Sequence, residues 1–202
     1  MSKMKQKSKV REYTETLVIA LAIALFVRSF VVQAFKIPSS SMEPTLLVGD
    51  HILVNKFLYG IRIPVLGKKV FPFSQPRRGD VIVFIFPNDR SKDFIKRVIG
   101  LPGEKVEVRE RKIYINDRLI EDPWGKYFPP DRLINVGPEV LPPNALFVMG
   151  DNRNNSEDSR YWGFVPLDDV LGKAFVMYWS WDWRASSLVS KVRWQRIGSL
   201  IR

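Results

Sequence analysis

Cysteine is absent from the 202-residue chain, and histidine occurs once, as His51. Without cysteine there are no disulfides, thiolate zinc sites, iron–sulfur clusters or cysteine nucleophiles. A single imidazole excludes a three-histidine metal centre and argues against a Ser–His–Asp triad. The body also lacks any amphipathic helical stretch of 12 or more residues, any internal repeat and any low-complexity tract. Lysine and arginine, in contrast, outnumber acidic residues 32 to 21, a net charge of +11.

The charge sits at the ends. Lys3, Lys5, Lys7, Lys9 and Arg11 face only Glu12 within residues 1–13, and Arg184, Lys191, Arg193, Arg196 and Arg202 face only Asp182 within 181–202. The long stretch between is close to neutral. Two basic ends around a balanced body suit membrane surfaces better than a nucleic-acid groove. No nucleic-acid-binding signature is present, and no nucleic-acid partner is expected.

Thr16–Val27 reads TLVIALAIALFV without a charge, and Phe30–Phe35 continues the run after Arg28 and Ser29. About 20 apolar positions suffice to cross a bilayer, and the basic flank places the N-terminus in the cytoplasm. The expectation is a basic tail over 1–13, one transmembrane anchor over 14–34, and everything that follows outside the cytoplasm. A buried core helix and a cleavable signal peptide ending at Ala34 are the competing readings. Arg28-Ser29-Phe30 interrupts the short path to a cut site that the second would need.

Past residue 35 the apolar runs are short and rich in Val, Ile and Phe. Strands are expected at 51–56, 81–86, 94–100, 105–109, 112–116, 145–150 and 172–179, separated by Pro, Gly, Asn and Asp clusters. KVEVR and KIYIN alternate around Glu110-Arg111 and predict a hairpin. The fold class is mainly β, with a domain over 35–180. Residues 181–202 hold Trp181, Trp183 and Trp194 among basic residues, and a membrane-surface segment is expected there, with 185, 188, 189 and 192 on one helical face.

Three segments could carry chemistry. Ile37–Leu46 places Ser39, Ser40 and Ser41 between two prolines, and a serine there needs a base to become nucleophilic. Phe94–Glu104 sets Lys96 between Phe94 and Val98 on one face of a strand; desolvation lowers the pKa of such an ammonium and lets it accept a proton. Met149–Gly163 is dense in hydrogen-bonding groups. Arg153 stands where a calcium loop needs Asp or Asn, and Asn154-Asn155-Ser156 is only a common sequon match. His51, in a strand-like run, reads as structural.

Together and in this order, Ser39–Leu46, Lys96–Glu104 and Gly150–Arg160 resemble bacterial type I signal peptidases over residues about 10–180. The resemblance implies a membrane-bound serine endopeptidase that removes signal peptides from exported preproteins through a Ser/Lys dyad. By position Ser41 is the nucleophile and Lys96 the general base. Ser39 contributes its hydroxyl to an oxyanion hole together with the Ser41 backbone N–H. Ser156 orients the base, Asp158 and Arg160 form a supporting ion pair, and Asp151 and Arg153 brace the same loop. Phe35, Ile37, Met42, Leu46, Phe94 and Ile95 fall near the pockets for small substrate residues. No metal and no cofactor is implied. The partners implied are preproteins and the phospholipid bilayer, and the chain is expected to be a monomer in the bacterial inner membrane. Ser40 departs from the family, where glycine is frequent. Only about 40 residues separate the second and third motifs, so the large inserted β-subdomain of some relatives is expected to be absent or much reduced. The alternatives are a related Ser/Lys peptidase with another membrane-protein substrate and an inactive peptide-binding membrane module. A penicillin-binding site is disfavoured because its Ser-x-x-Lys spacing occurs only at Ser2–Lys5, in the basic tail.

Overall fold

A computed structural model describes residues 9–27, 31–62, 69–70, 73–130 and 133–202. Helix α1 (Lys9–Phe26) leads into thirteen strands: β1 (Val32–Lys36), β2 (Asp50–Asn55), β3 (Ile61–Arg62), β4 (Lys69–Val70), β5 (Val81–Ile85), β6 (Asp93–Gly100), β7 (Lys105–Arg109), β8 (Lys112–Ile115), β9 (Arg118–Leu119), β10 (Val136–Val140), β11 (Ala145–Met149), β12 (Val165–Pro166) and β13 (Val170–Ser180). Among the described residues the other α-helices are two of four residues, α2 (Ser159–Trp162) and α3 (Leu188–Lys191). The mainly β expectation holds, and all seven anticipated strands form within two residues of their expected ends.

Seven strands make one sheet in the order β1-β2-β13-β5-β6-β11-β12; β10-β7-β8-β9 and β3-β4 make two smaller ones. The continuous apolar run of β5 has a simple cause. Its side chains alternate between faces, and both faces are covered: Val81 and Val83 join Ile37, Met42, Leu46 and Ile52 in one core, while Ile82 and Phe84 join Val98, Leu146 and Val148 in another. On β11 the same alternation sends Phe147 and Met149 to a third core with Val106, Val108 and Ile113. The expected β7–β8 hairpin turns at Glu110 and Arg111, both at positive φ (50° and 67°). That is the twist a two-residue hairpin requires. The same geometry recurs at Asn116-Asp117 before β9, a second turn that the sequence reading did not single out.

The anchor expected over 14–34 is divided differently. Its α-helix is described over Lys9–Phe26, with π-helical geometry at Val27 and Val31, and Val32–Lys36 forms β1, antiparallel to β2 from Val32 opposite Asn55 to Lys36 opposite His51. Backbone pairing to β2 satisfies hydrogen-bonding groups that a helix would otherwise satisfy internally, so the strand takes the last residues of the apolar run. Arg28–Phe30 and the first three lysines of the basic tail lie outside the described residues. Among the described residues no helix is long and apolar enough to cross a membrane.

The C-terminal segment packs back onto the sheet. The helix expected around 185–192 reduces to one turn, α3, capped by Ser187. Arg196 grips Asp50 with bonds of 2.6 and 3.1 Å, Ser180 Oγ donates to the same carboxylate at 2.6 Å, and Ile201 enters the core. Two of the basic residues read as membrane-facing are therefore taken up in ion pairs: Arg196 with Asp50 of the domain, and Arg193 with Asp182 of its own segment and, at 3.9 Å, with Asp50. His51 sits in β2 with its ring edge-on to Tyr178.

Candidate active site

The loop between β1 and β2 carries the three serines. Ile37 N–H donates to the Asp50 carbonyl at 2.8 Å and Gly49 N–H to the Ile37 carbonyl at 3.0 Å, closing the loop at its base. Within it Leu46 N–H donates to the Met42 carbonyl at 2.9 Å, and both side chains are fully buried. Ile37, Met42 and Leu46 thus anchor the loop in the core, and none of them lines the adjoining cavity. The turn that exposes Ser39 carries Met42 and Leu46 inward, so these expected neighbours of the substrate pockets sit behind the serine loop rather than on the cavity surface. Phe35 packs against the same core from β1 and also lies off the cavity.

Strand β6 delivers the lysine. It lies between β5 and β11, with Lys96 opposite Ile82. Lys96 is 4% exposed, and its Nζ donates to Ser41 Oγ at 2.8 Å. The ammonium lies 5.5 Å from the centre of the Phe94 ring, which stacks on Phe86. Burial lowers the Lys96 pKa to about 8, against the opposing influence of Asp158, Asp151 and Glu157. Ser39 Oγ lies 3.4 Å from Ser41 Oγ, at the solvent side.

The third segment follows β11. Asp158 is fully buried and accepts from Gly150 N–H at 2.9 Å and from Arg160 at 2.8 and 2.9 Å. Asp151 and Arg153 do not pair with each other. Asp151 accepts two bonds from Arg97, at 2.7 and 2.6 Å, and Arg153 pairs with Asp122, with one bond of 2.8 Å. Ser156 Oγ is buried, has no hydrogen-bond partner among the described residues, and lines the cavity that holds Lys96. Its expected bond to the base is not formed in this arrangement.

The cavity has a volume of about 470 Å³. Its walls are Pro38–Ser41, Asp93–Lys96 and Asn154–Glu157, with Tyr161 at the edge. Of the six substrate-contact candidates, only Phe94 and Ile95 line it. Among the described residues no group of three His, Cys, Asp or Glu side chains is placed to hold a metal ion. Chemically the arrangement offers a hydroxyl, a desolvated amine bonded to it, a second hydroxyl beside the first, and an open trough for an extended chain.

Residues 10–179 match the family model described as signal peptidase, peptidase S26. The chain belongs to that family. It is 41% identical to signal peptidase I of Pseudomonas aeruginosa, across 90% of this chain and 76% of that protein. It is 40% identical to a probable signal peptidase I-2 of Synechocystis (83% and 72% covered) and 35% identical to signal peptidase I of Aquifex aeolicus (84% of each). A crystal structure of a signal peptidase I from Enterococcus faecalis aligns at 32% identity and a TM-score of 0.43, over 50% of this chain and 97% of that one.

Several residues of this family member's site were not singled out in the sequence. Thr45 Oγ1 donates to Asp151 at 2.6 Å, Asn152 N–H donates to the Ser41 carbonyl at 3.1 Å, and Arg97 joins the lysine strand to the third loop. Arg97 follows Lys96 directly and points to the opposite side of the strand. The only available hint was that alternation must bury it. Gly150 is a further case. A Cβ there would collide with Ser156 Oγ and the Ser41 carbonyl, so the third loop approaches the serine loop only because this position has no side chain. Gly150→Ala is expected to force Ser41 and Ser156 apart and to lower kcat/KM for a preprotein at least tenfold. Steady-state cleavage kinetics would measure this, and a change under twofold would count against the close approach.

Proposed function

We propose that Ser41 and Lys96 form the catalytic dyad of this enzyme, a serine endopeptidase that removes signal peptides from exported preproteins. The observation that supports the dyad most is the 2.8 Å bond between Lys96 Nζ and Ser41 Oγ, made by a lysine whose burial brings its pKa to about 8. Neutral Lys96 takes the Ser41 proton as the hydroxyl attacks the scissile carbonyl. The Ser39 hydroxyl and the Ser41 backbone N–H receive the oxyanion, an arrangement worth on the order of 3 kcal/mol per donor in comparable hydrolases. Lys96 then returns the proton to the leaving amine, and water hydrolyses the acyl-enzyme. Ser156, the unpaired hydroxyl facing the same cavity, is the group available to steady Lys96 during these transfers. Asp158 with Arg160, and Asp151 and Arg153 through their own partners, hold the loop that carries it. The substrate lies extended along the trough, with Phe94 and Ile95 bounding the space for its small side chains.

The second part of the proposal concerns the membrane: α1 attaches the enzyme to the bacterial cytoplasmic membrane, with the basic tail inside and the β-domain outside. Leu17, Val18, Ile19, Leu21, Ile23 and Leu25 are all 54–70% exposed. Consecutive residues of a helix point in different directions, so this exposure runs around the whole circumference, as suits surrounding lipid rather than a one-sided protein contact.

Cleavage of a preprotein by the full chain in detergent tests the dyad. The wild type is expected to release a mature N-terminus identifiable by mass spectrometry, and a serine-acylating probe is expected to label Ser41. Ser41→Ala should lose both while keeping its circular-dichroism spectrum. Turnover by the alanine variant at a tenth of the wild-type rate or more would end this reading.

A further inference from the structure

Ser40 stands between the oxyanion serine and the nucleophile, and two asparagines of the third loop hold it. Its carbonyl accepts from Asn152 Nδ2 at 3.2 Å, and its hydroxyl accepts from Asn155 Nδ2 at 2.8 Å. Ser40 and Asn155 both line the active cavity, one on the serine loop and one on the third loop. The bond from Lys96 to Ser41 joins the serine wall to the lysine wall. The bond from Asn155 to Ser40 joins the serine wall to the wall that carries Ser156. It is the one side-chain bond described between these two walls that depends on a hydroxyl at position 40; a glycine there could not form it.

We propose that Ser40 and Asn155 form a latch that fixes the Ser39–Ser41 turn relative to the third loop, so that Ser40 is a positioning residue for the reaction. The inference rests on the Ser/Lys reading above. Three bonds tie the turn to the third loop: Asn152 N–H to the Ser41 carbonyl, Asn152 Nδ2 to the Ser40 carbonyl and Asn155 Nδ2 to the Ser40 hydroxyl. The first two hold the backbone of the turn at residues 40 and 41. Only the third reaches out to the rim, on the side where Ser39 stands exposed. Ser39 has few restraints of its own: the contact described for its hydroxyl is the long 3.4 Å approach to Ser41. Holding Ser40 from the rim restricts the backbone torsions that aim the Ser39 hydroxyl. An oxyanion forms only during reaction. The latch should therefore act on kcat and leave substrate affinity nearly untouched.

The test is steady-state cleavage of one preprotein by the full-length enzyme in detergent and by its Ser40→Ala, Asn155→Ala, double, and Ser40→Thr variants. Each alanine variant is expected to lose three- to tenfold in kcat with KM within twofold. The double variant should be no slower than the worse single one, because one bond is lost in all three. Ser40→Thr, which keeps the hydroxyl, should retain at least half of wild-type kcat. The midpoint of the acidic limb of the pH profile should stay in place, since neither residue touches Lys96. Unchanged kcat in the single variants, multiplicative losses in the double, or losses confined to KM would each overturn the latch. Ser41→Ala and Lys96→Arg run alongside separate the two questions. If those retain turnover, the dyad itself is wrong; if they are dead while the latch variants match wild type, only the latch is wrong.

Discussion

Replacing Lys96 with arginine is expected to abolish preprotein cleavage, although charge and approximate size are kept. The guanidinium does not deprotonate in proteins, so the variant cannot accept the Ser41 proton. Lys96→Ala should be equally inactive, with losses at or beyond the 10²–10⁴-fold range typical of a general base. Combining either with Ser41→Ala should add nothing, because the two groups act as a unit. The wild-type pH profile follows from the same site. Reaction needs the neutral amine, so kcat/KM rises with pH as the proton leaves, with a midpoint near the Lys96 value of about 8. An ordinary lysine would be neutral roughly 300-fold less often at pH 7 than one with a pKa of 8. Burial sets this value, and Asp158, Asp151 and Glu157 pull against it. Removing the Glu157 charge should therefore move the acidic limb to lower pH, the direction that separates an electrostatic influence from a structural one. An acidic limb centred below 6 in the wild type would contradict a lysine base.

Breaking the Arg97–Asp151 pair is expected to have the largest effect on stability. Both side chains are fully buried and meet through two bonds of 2.7 and 2.6 Å. Arg97 also donates to the Gly79 carbonyl at 2.7 Å and lies over the Trp124 ring at 4.8 Å, and Thr45 joins Asp151 at 2.6 Å. One guanidinium thus ties the lysine strand to the third loop, and Asp151 ties both to the serine loop. Arg97→Met leaves Asp151 buried without its cation, and Asp151→Leu strands the cation. Removing one partner of such a pair costs about 3–5 kcal/mol. For a chain of this size that lowers the melting temperature by roughly 6–20 °C. The double variant Arg97→Met with Asp151→Leu should recover part of the loss, because no unpaired charge remains. Thermal unfolding followed by circular dichroism decides this; single variants within 2 °C of wild type would show that the pair carries little.

Much of the fold could be read from local chemistry. Strands β5 and β11 are apolar on both faces and bounded by turn residues, so the run of valines and isoleucines alone marks them. The β7–β8 hairpin was visible because KVEVR and KIYIN alternate around a two-residue gap. The end of the N-terminal helix was not visible. Val31–Phe35 continues the apolar run with Gln33 alone interrupting it, and only the partner strand β2, many residues later, decides that it pairs as a strand. The C-terminal arginines show the same limit. Arg193 and Arg196 look like any basic patch until Asp50, about 145 residues upstream, is brought beneath them.

For the site, residue types and order were enough to mark Ser41, Lys96, Ser39 and the loop from Gly150 to Arg160, because each segment has its own local pattern. Sequence also marked Lys96 as desolvated, since its neighbours on the strand face are apolar. What it could not decide is which of the nearby residues face the cavity. Ile37, Met42 and Leu46 stand next to the serines in sequence yet point into the core, while Asn155 and Tyr161, more than 100 residues away, line the cavity wall. The sequence by itself determined the chemical groups, the β class and the charge asymmetry, because these are properties of single residues and short periodic runs. The tertiary structure decided the 2.8 Å approach of lysine to serine, the ion-pair partners and the direction of each loop side chain. Those depend on register between strands far apart in the chain, where a shift of one residue turns every side chain to the other face.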